Sequence, residues 1–444
     1  MKKIFSLITV ILAALVLVAC ESDNRTKIVF WHTMGKTAKP EEGGQALLEA
    51  FIKEWEALPE NKEYRIVHVS KGGYGELNSA VGTAISAGNE PHLTYSYNDH
   101  VAGYLRRNVV QPLDELINDP QYGLSPEEIA DFVPGYWAEG KTYDAKGTLY
   151  SLPFSKSTEA MFYNKTFFTE NGLEVPVTWD DVRAVGEAIK AKSEYADKKY
   201  IPVGYDSPDN LFITASAQRK APYTNINANG QGEILFNNEQ SKAMVEYFRN
   251  LYFDGLFTTK DQLGGSNTSN KFVAGEIFMS IGSTGGTKYN IPGNENPFDV
   301  GVAPIPQFDV DNRKMIQQGP NINLFKNRDQ NQVLAAWRFL KYITDTDQTA
   351  RWSMASGYSP VRLSAFENET YKTYLSNPNN DKKQQVFIDV LKLAQSQSNY
   401  FFTSAAFDKS AKTRQEVGTI FSKAFEKDAN LDSIFAKAYQ EVIS

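Results

Sequence analysis

The side chains that most often carry out chemistry are few in this chain and poorly spaced for it. Its four histidines, His32, His68, His92 and His100, show no metal-type spacing such as H-E-x-x-H, so no zinc centre is expected. Neither a P-loop nor a G-x-S-x-G nucleophile elbow occurs. Cys20 is the only cysteine, which rules out an intrachain disulfide and a thiol enzyme. Adjacent carboxylates do occur, as in Glu127-Glu128 and Asp180-Asp181, but with 53 acidic residues in the chain such pairs read as solvated helix surface. A secreted carbohydrate-active enzyme is therefore the lesser alternative, and no catalytic residue, cofactor or metal is expected.

The aromatic residues say more. With 27 Phe, 23 Tyr and 6 Trp they make up 13% of the chain, and many fall in expected loops and strand ends. A Tyr or Trp offers an apolar ring face to C–H groups together with a polar donor, which suits a cleft for a polar ligand, although most individual rings serve packing. Trp179 is an example, with helix-start packing weighed above stacking on a ligand.

The elements that must position these residues alternate. Lys27 to Trp31 reads as a strand, Gln45 to Leu58 as a helix, Tyr64 to Val69 as a strand, Glu76 to Ala87 as a helix and His92 to Tyr97 as a strand. Such alternation predicts an α/β fold with mostly parallel sheets, whose ligands lie beyond the carboxyl ends of the strands. Thr178 is placed to cap a helix that starts at Trp179, with Asp180 and Asp181 in its first turn and Val182, Val185 and Ile189 as its buried stripe. Later, Val333, Ala336, Trp337 and Leu340 repeat at helical spacing, as do Leu431, Ile434, Phe435 and Ala438. No repeat, low-complexity tract or linker divides the chain.

The N-terminus carries an address. Met-Lys-Lys followed by the apolar run Ile4 to Ala19 reads as a signal peptide, too short to span a membrane and followed at once by polar Glu21 to Asn24. With 46 basic against 53 acidic residues the net charge is -7, which argues against nucleic acid as a partner.

Leu17-Val18-Ala19-Cys20 resembles the lipobox of bacterial lipoproteins, with Cys20 as the lipidated residue. A wider resemblance runs through Phe30-Trp31-His32-Thr33-Met34, Lys71-Gly72-Gly73-Tyr74, Leu152-Pro153-Phe154-Ser155-Lys156-Ser157-Thr158 and Phe162-Tyr163-Asn164-Lys165. It continues through Phe278 to Ser283, Gln318-Gly319-Pro320-Asn321 and Ser356-Gly357-Tyr358-Ser359-Pro360. The chain resembles the extracellular solute-binding lipoproteins of carbohydrate-type ABC importers, and within them the glycerol-3-phosphate-binding branch.

That resemblance implies a two-lobe periplasmic-binding-protein fold with the ligand cleft between lobes that close over the solute. The expected division is 1–19 signal peptide, 20–26 lipidated cysteine and tether, 27–155 with 285–335 as lobe I, and 156–284 with 336–444 as lobe II. It implies ligand-binding roles for Tyr74, Ser157, Ser283, Gly319, Tyr358 and Arg414, with hydroxyls, backbone N–H groups and a forked guanidinium suited to a phosphate. Asn98 stands where the branch has a glutamate that accepts hydroxyls, with Asp99 beside it as a substitute. The implied solute is glycerol 3-phosphate, a glycerophosphodiester or a related polyol or sugar phosphate, with a neutral oligosaccharide as the alternative. The implied partners are ABC permease subunits with a cytoplasmic ATPase. The implied state is a monomer, lipid-anchored outside the cytoplasmic membrane at the cell surface or in the periplasm.

Overall fold

A computed structural model describes residues 23–35, 44–144, 146–327, 329–377 and 379–444. The leader and Cys20 lie outside the described residues. Two separate five-stranded sheets form the framework. The first joins β1 (Thr26–His32), β2 (Tyr64–Ser70), β3 (Leu93–Ser96) and β4 (Ser151–Pro153) to the late strand β13 (Asn321–Leu324) in the order β2-β1-β3-β13-β4. The second orders β11 (Val300–Ala303), β5 (Glu159–Asn164), β10 (Ile277–Ser283), β6 (Ile201–Tyr205) and β9 (Phe257–Thr259) as β11-β5-β10-β6-β9. A small hairpin, β7 (Thr224–Ile226) with β8 (Gly232–Ile234), stands apart from both sheets. So does a two-residue ribbon of β12 (Met315–Ile316) with β14 (Phe401–Phe402).

The sheets are more mixed than the strand–helix alternation predicts. β1 pairs in parallel with β2 and β3, and β6 with β9 and β10, but β13 and β4 run antiparallel in one sheet, as β5 and β11 do in the other. In each sheet one inner strand runs against the rest: β13, which arrives after β11 and β12, and β5, which arrives directly from β4 of the first sheet, so neither closes a βα unit.

Each sheet has its own core. Helix α1 (Gly44–Ala57) lays Leu48, Phe51, Ile52 and Trp55 on the first sheet, and α2 (Tyr74–Ala87) and α3 (Asn98–Leu105) follow β2 and β3. The second sheet packs against α4 (Trp179–Lys190), α5 (Pro208–Gln218), α6 (Glu239–Phe253), and later α10 (Lys382–Ser396), α11 (Ser410–Ala424) and α12 (Leu431–Ile443). Helix α4 begins in a capping box, with the Thr178 hydroxyl accepting from Asp181 N–H at 3.0 Å and the Asp181 carboxylate accepting from Thr178 N–H at 2.8 Å. Trp179 is buried against Phe248 and donates to Gln218 Oε1 at 3.2 Å, so it is a core residue and touches no cleft.

The lobes therefore divide differently from the expected boundaries in two places. β11, expected in lobe I, extends the second sheet alongside β5. Helices α7 (Gln330–Ile343) and α8 (Thr346–Ser356), mostly expected in lobe II, bury Trp337, Phe339, Leu340, Ile343 and Trp352 in the first core, and α9 (Glu369–Ser376) lies against α8. Helical periodicity shows that a face is buried but not which sheet buries it.

Three crossing segments lie side by side between the lobes. Ser157 N–H donates to Gln318 O at 2.9 Å and Gln318 N–H to Ser157 O at 2.8 Å, while Ser359 N–H donates to Lys156 O at 2.7 Å. Gly319 adopts φ +93°, and a Cβ there would lie 1.8 Å from Ser155 O. Only glycine lets these two strands approach so closely.

Candidate functional site

The carboxyl ends of the first-sheet strands face the α11 side of the second lobe. Tyr74 opens α2 and Tyr97 stands at the N-cap of α3, and their rings meet with centroids 4.7 Å apart. The Tyr74 hydroxyl lies 3.5 Å from that of Tyr358. Burial is the main cause that pushes all three phenols above their ordinary range. Together they make an aromatic wall in which the Tyr74 and Tyr358 hydroxyls face each other.

The opposite wall is charged. Arg414, on α11, donates from Nε to Asp209 Oδ2 at 2.6 Å and from a terminal nitrogen to Asn210 Oδ1, both partners being in the first turn of α5. Its remaining nitrogen lies 3.9 Å from Asp99 Oδ2 on α3, and its guanidinium sits 5.8 Å from the Tyr97 ring. Burial alone would lower the Arg414 pKa, but Asp209 and Asp99 raise it further above the ordinary range. Burial pushes the Asp99 carboxyl up, whereas Asp209 is held low because Arg414, Ser207 and the Asn210 N–H outweigh its burial. Behind Arg414, buried Glu159 accepts from Tyr205 and from Asn210 Nδ2, and burial raises its pKa to about 8.

The sequence-derived positions divide into two groups. Tyr74, Tyr358 and Arg414 meet around Tyr97, which sequence reasoning passed over in favour of its neighbour Asn98. Ser283 ends β10 and accepts from Gly285 N–H at 3.2 Å, where a Cβ on Gly285 would collide with the Tyr358 ring at 2.6 Å. The missing side chain at Gly285 thus lets a lobe I tyrosine rest on lobe II backbone. Ser157 and Gly319 lie in the crossing segments, with the Gly319 carbonyl accepting from Lys156 Nζ at 2.9 Å.

Asn98 points the other way. Its Nδ2 donates to Glu139 O at 3.0 Å, and its Oδ1 accepts from Tyr143 OH at 2.8 Å and Asn321 Nδ2 at 3.0 Å. An amide engaged on both ends inside one lobe holds structure together and leaves the cleft face to Tyr97 and Asp99. Strand alternation could have signalled Tyr97, since it follows buried Tyr95 by two residues at the end of β3. Nothing in the sequence pattern marks Asp209 as the partner of Arg414, because 205 residues separate them.

The carboxylate pairs considered for glycoside chemistry are helix starts. Glu128 closes a capping box with Ser125, Asp181 does so with Thr178, and Asp180 accepts from Tyr247 OH at 3.0 Å. No helix among the described residues is long and apolar enough to cross a membrane.

Residues 47–379 match the family described as bacterial extracellular solute-binding protein. The chain is 25% identical over 377 residues to the sn-glycerol-3-phosphate-binding periplasmic protein UgpB of Shigella flexneri serotype 5b, covering 80% of this chain and 79% of the relative. It is 24% identical to the protein of that name from Escherichia coli strain K12, with the same coverage. Among solved structures it is similar to UgpB of Mycobacterium tuberculosis in complex with glycerophosphocholine, with TM-score 0.73 and 17% identity over 94% of this chain and 97% of the other. It is also similar to the GacH receptor of Streptomyces glaucescens, whose structures include a complex with acarbose, with TM-score 0.71 and 17% identity over 94% and 98%.

Proposed function

We propose that this chain, which belongs to the bacterial extracellular solute-binding protein family and is a solute-binding protein of an ABC importer, captures a glycerophosphodiester or a related polyol phosphate in the cleft between its lobes. The observation that carries this reading is the placement of Arg414 from one lobe opposite Tyr74, Tyr97 and Tyr358 from the other. The rings suit the C–H faces of a polyol, their hydroxyls suit its oxygens, and the guanidinium suits a phosphate. A diester carries a single negative charge, whereas a monoester approaches two near neutral pH. Because Asp209 and Asp99 already outweigh Arg414, the singly charged ligand meets less repulsion than glycerol 3-phosphate does. The names of the two UgpB relatives and the glycerophosphocholine complex of the structural relative support the class.

The same charge balance favours a second reading, a neutral oligosaccharide, which needs no free cation. Calorimetry with glycerophosphocholine, glycerol 3-phosphate and maltotriose separates the two. Glycerophosphocholine binding at least as tightly as glycerol 3-phosphate is expected, and maltotriose binding alone would overturn the phosphodiester reading. Small-angle scattering should show a smaller radius of gyration at saturation, as hinge closure requires.

The receptor acts as a monomer held outside the cytoplasmic membrane by a lipid on Cys20, and it hands solute to permease subunits driven by a cytoplasmic ATPase. The Leu17-Val18-Ala19-Cys20 signature supports the anchor. Cys20→Ala should free the protein into the soluble fraction, and retention on membranes after a high-salt wash would refute it.

A further inference from the structure

Lys156 is wholly buried, and its ammonium meets the Glu139 carboxylate, the Gly319 carbonyl at 2.9 Å and Asn321 Oδ1 at 3.1 Å. Burying such a pair is costly, and well-packed apolar residues of similar volume often stabilise a protein as much or more. Stability alone is therefore a weak reason for a lysine here.

Its position supplies a better one. Ser157 follows it directly, the Gly319 carbonyl accepts a hydrogen bond from its ammonium, and Ser359, next to Tyr358, donates to its carbonyl at 2.7 Å. The ammonium also dictates the polarity of an amide relay. Because Nζ has only protons to offer, Asn321 must turn Oδ1 toward it and Nδ2 toward Asn98 Oδ1 at 3.0 Å. Asn98 must then turn its own Nδ2 toward Glu139 O, at 3.0 Å. Asn98 is the first residue of α3, flanked by Tyr97 and Asp99, the two cleft residues of that turn.

We propose that Lys156 is the positioning residue of the cleft: through Gly319 on one side and Asn321–Asn98 on the other, it aligns the lobe crossing with the α3 turn that presents Tyr97 and Asp99. The proposal rests on the cleft reading above, but the exchange readout of its test does not depend on it.

The single variant Lys156→Met leaves Glu139 buried without its partner, so the test uses the neutral pair Lys156→Met/Glu139→Gln in the full-length mature chain. Asn321→Ala cuts the relay while keeping the ion pair and serves if the pair variant does not fold. Amide hydrogen exchange at residues 97–101, measured without solute, should speed up about tenfold or more in a variant whose melting temperature moves by only about 5 °C. Binding of glycerophosphocholine should weaken about tenfold. Unchanged exchange at 97–101 in a folded variant overturns the proposal, as does glycerophosphocholine affinity equal to that of the parent. A parent protein that ignores glycerophosphocholine overturns the solute assignment alone, and the exchange result then decides the role of Lys156.

Discussion

Asp99→Asn is the most informative single change at the cleft, because it removes one charge without changing shape. Asp99 is 7% exposed and its Oδ2 lies 3.9 Å from the guanidinium of Arg414. An anion resting on that edge of Arg414 would come within roughly 5 Å of the Asp99 carboxylate. At an effective dielectric constant of about 20 to 80, the repulsion is roughly 1 to 3 kcal/mol per negative charge. Burial already raises the Asp99 carboxyl, and an anion beside it would raise it further, which lessens the repulsion. We therefore expect about 1–2 kcal/mol, or roughly 5–30-fold tighter binding of glycerol 3-phosphate at pH 8. Binding of maltotriose should stay within about twofold, because a neutral ligand feels no such term. The advantage should be smaller at a second, lower pH, because burial moves proton uptake by the parent carboxyl upward. Isothermal calorimetry of both ligands at both pH values reads this out. Unchanged or weaker glycerol 3-phosphate binding in Asp99→Asn would show that no anion sits on the Asp99 side of Arg414.

Three other outcomes follow from the same geometry. Gly319→Ala places a Cβ 1.8 Å from Ser155 O at φ +93° and should cost about 3 kcal/mol or more in denaturant unfolding, and a parent-like midpoint would contradict the strand spacing. Asn98→Glu should lower stability by about 1–3 kcal/mol, since a carboxylate cannot donate to Glu139 O, and should leave the affinity ratio of glycerol 3-phosphate to glycerophosphocholine unchanged. A ratio shifted toward glycerol 3-phosphate would return Asn98 to the ligand site. Stability should also depend on pH from both sides. Glu159, raised to about 8 mainly by burial, contributes stability below about 4.5 that is lost as pH rises toward 8. His32, lowered to about 3 by burial and then by His68, contributes stability above 6.5 that is lost as pH falls toward 3. Glu159→Gln should flatten the alkaline slope in thermal melts from pH 5 to 9, and an unchanged slope would assign it to other groups.

The local elements were legible in the sequence because their causes are local. Short runs rich in β-branched and aromatic residues made Thr26–His32 and Tyr64–Ser70 strands, Thr178 with Asp181 made a capped helix start, and Trp337 with Leu340 made a buried stripe. The meeting of Tyr74, Tyr358 and Arg414 was legible only through family resemblance, since no spacing rule links residues so far apart. What tertiary structure alone decided is which sheet receives each late element and which way each residue at the end of β3 faces. β11 joined the second lobe and α7 the first because edge pairing and core volume, which are non-local, govern those choices. One residue of register separates Tyr97 from Asn98, and a helix beginning between them turns the first into the cleft and the second into a buried amide network. The pairing of Arg414 with Asp209, and of Lys156 with Glu139, is likewise set by packing, because a buried charge takes whichever opposite charge the fold brings within reach.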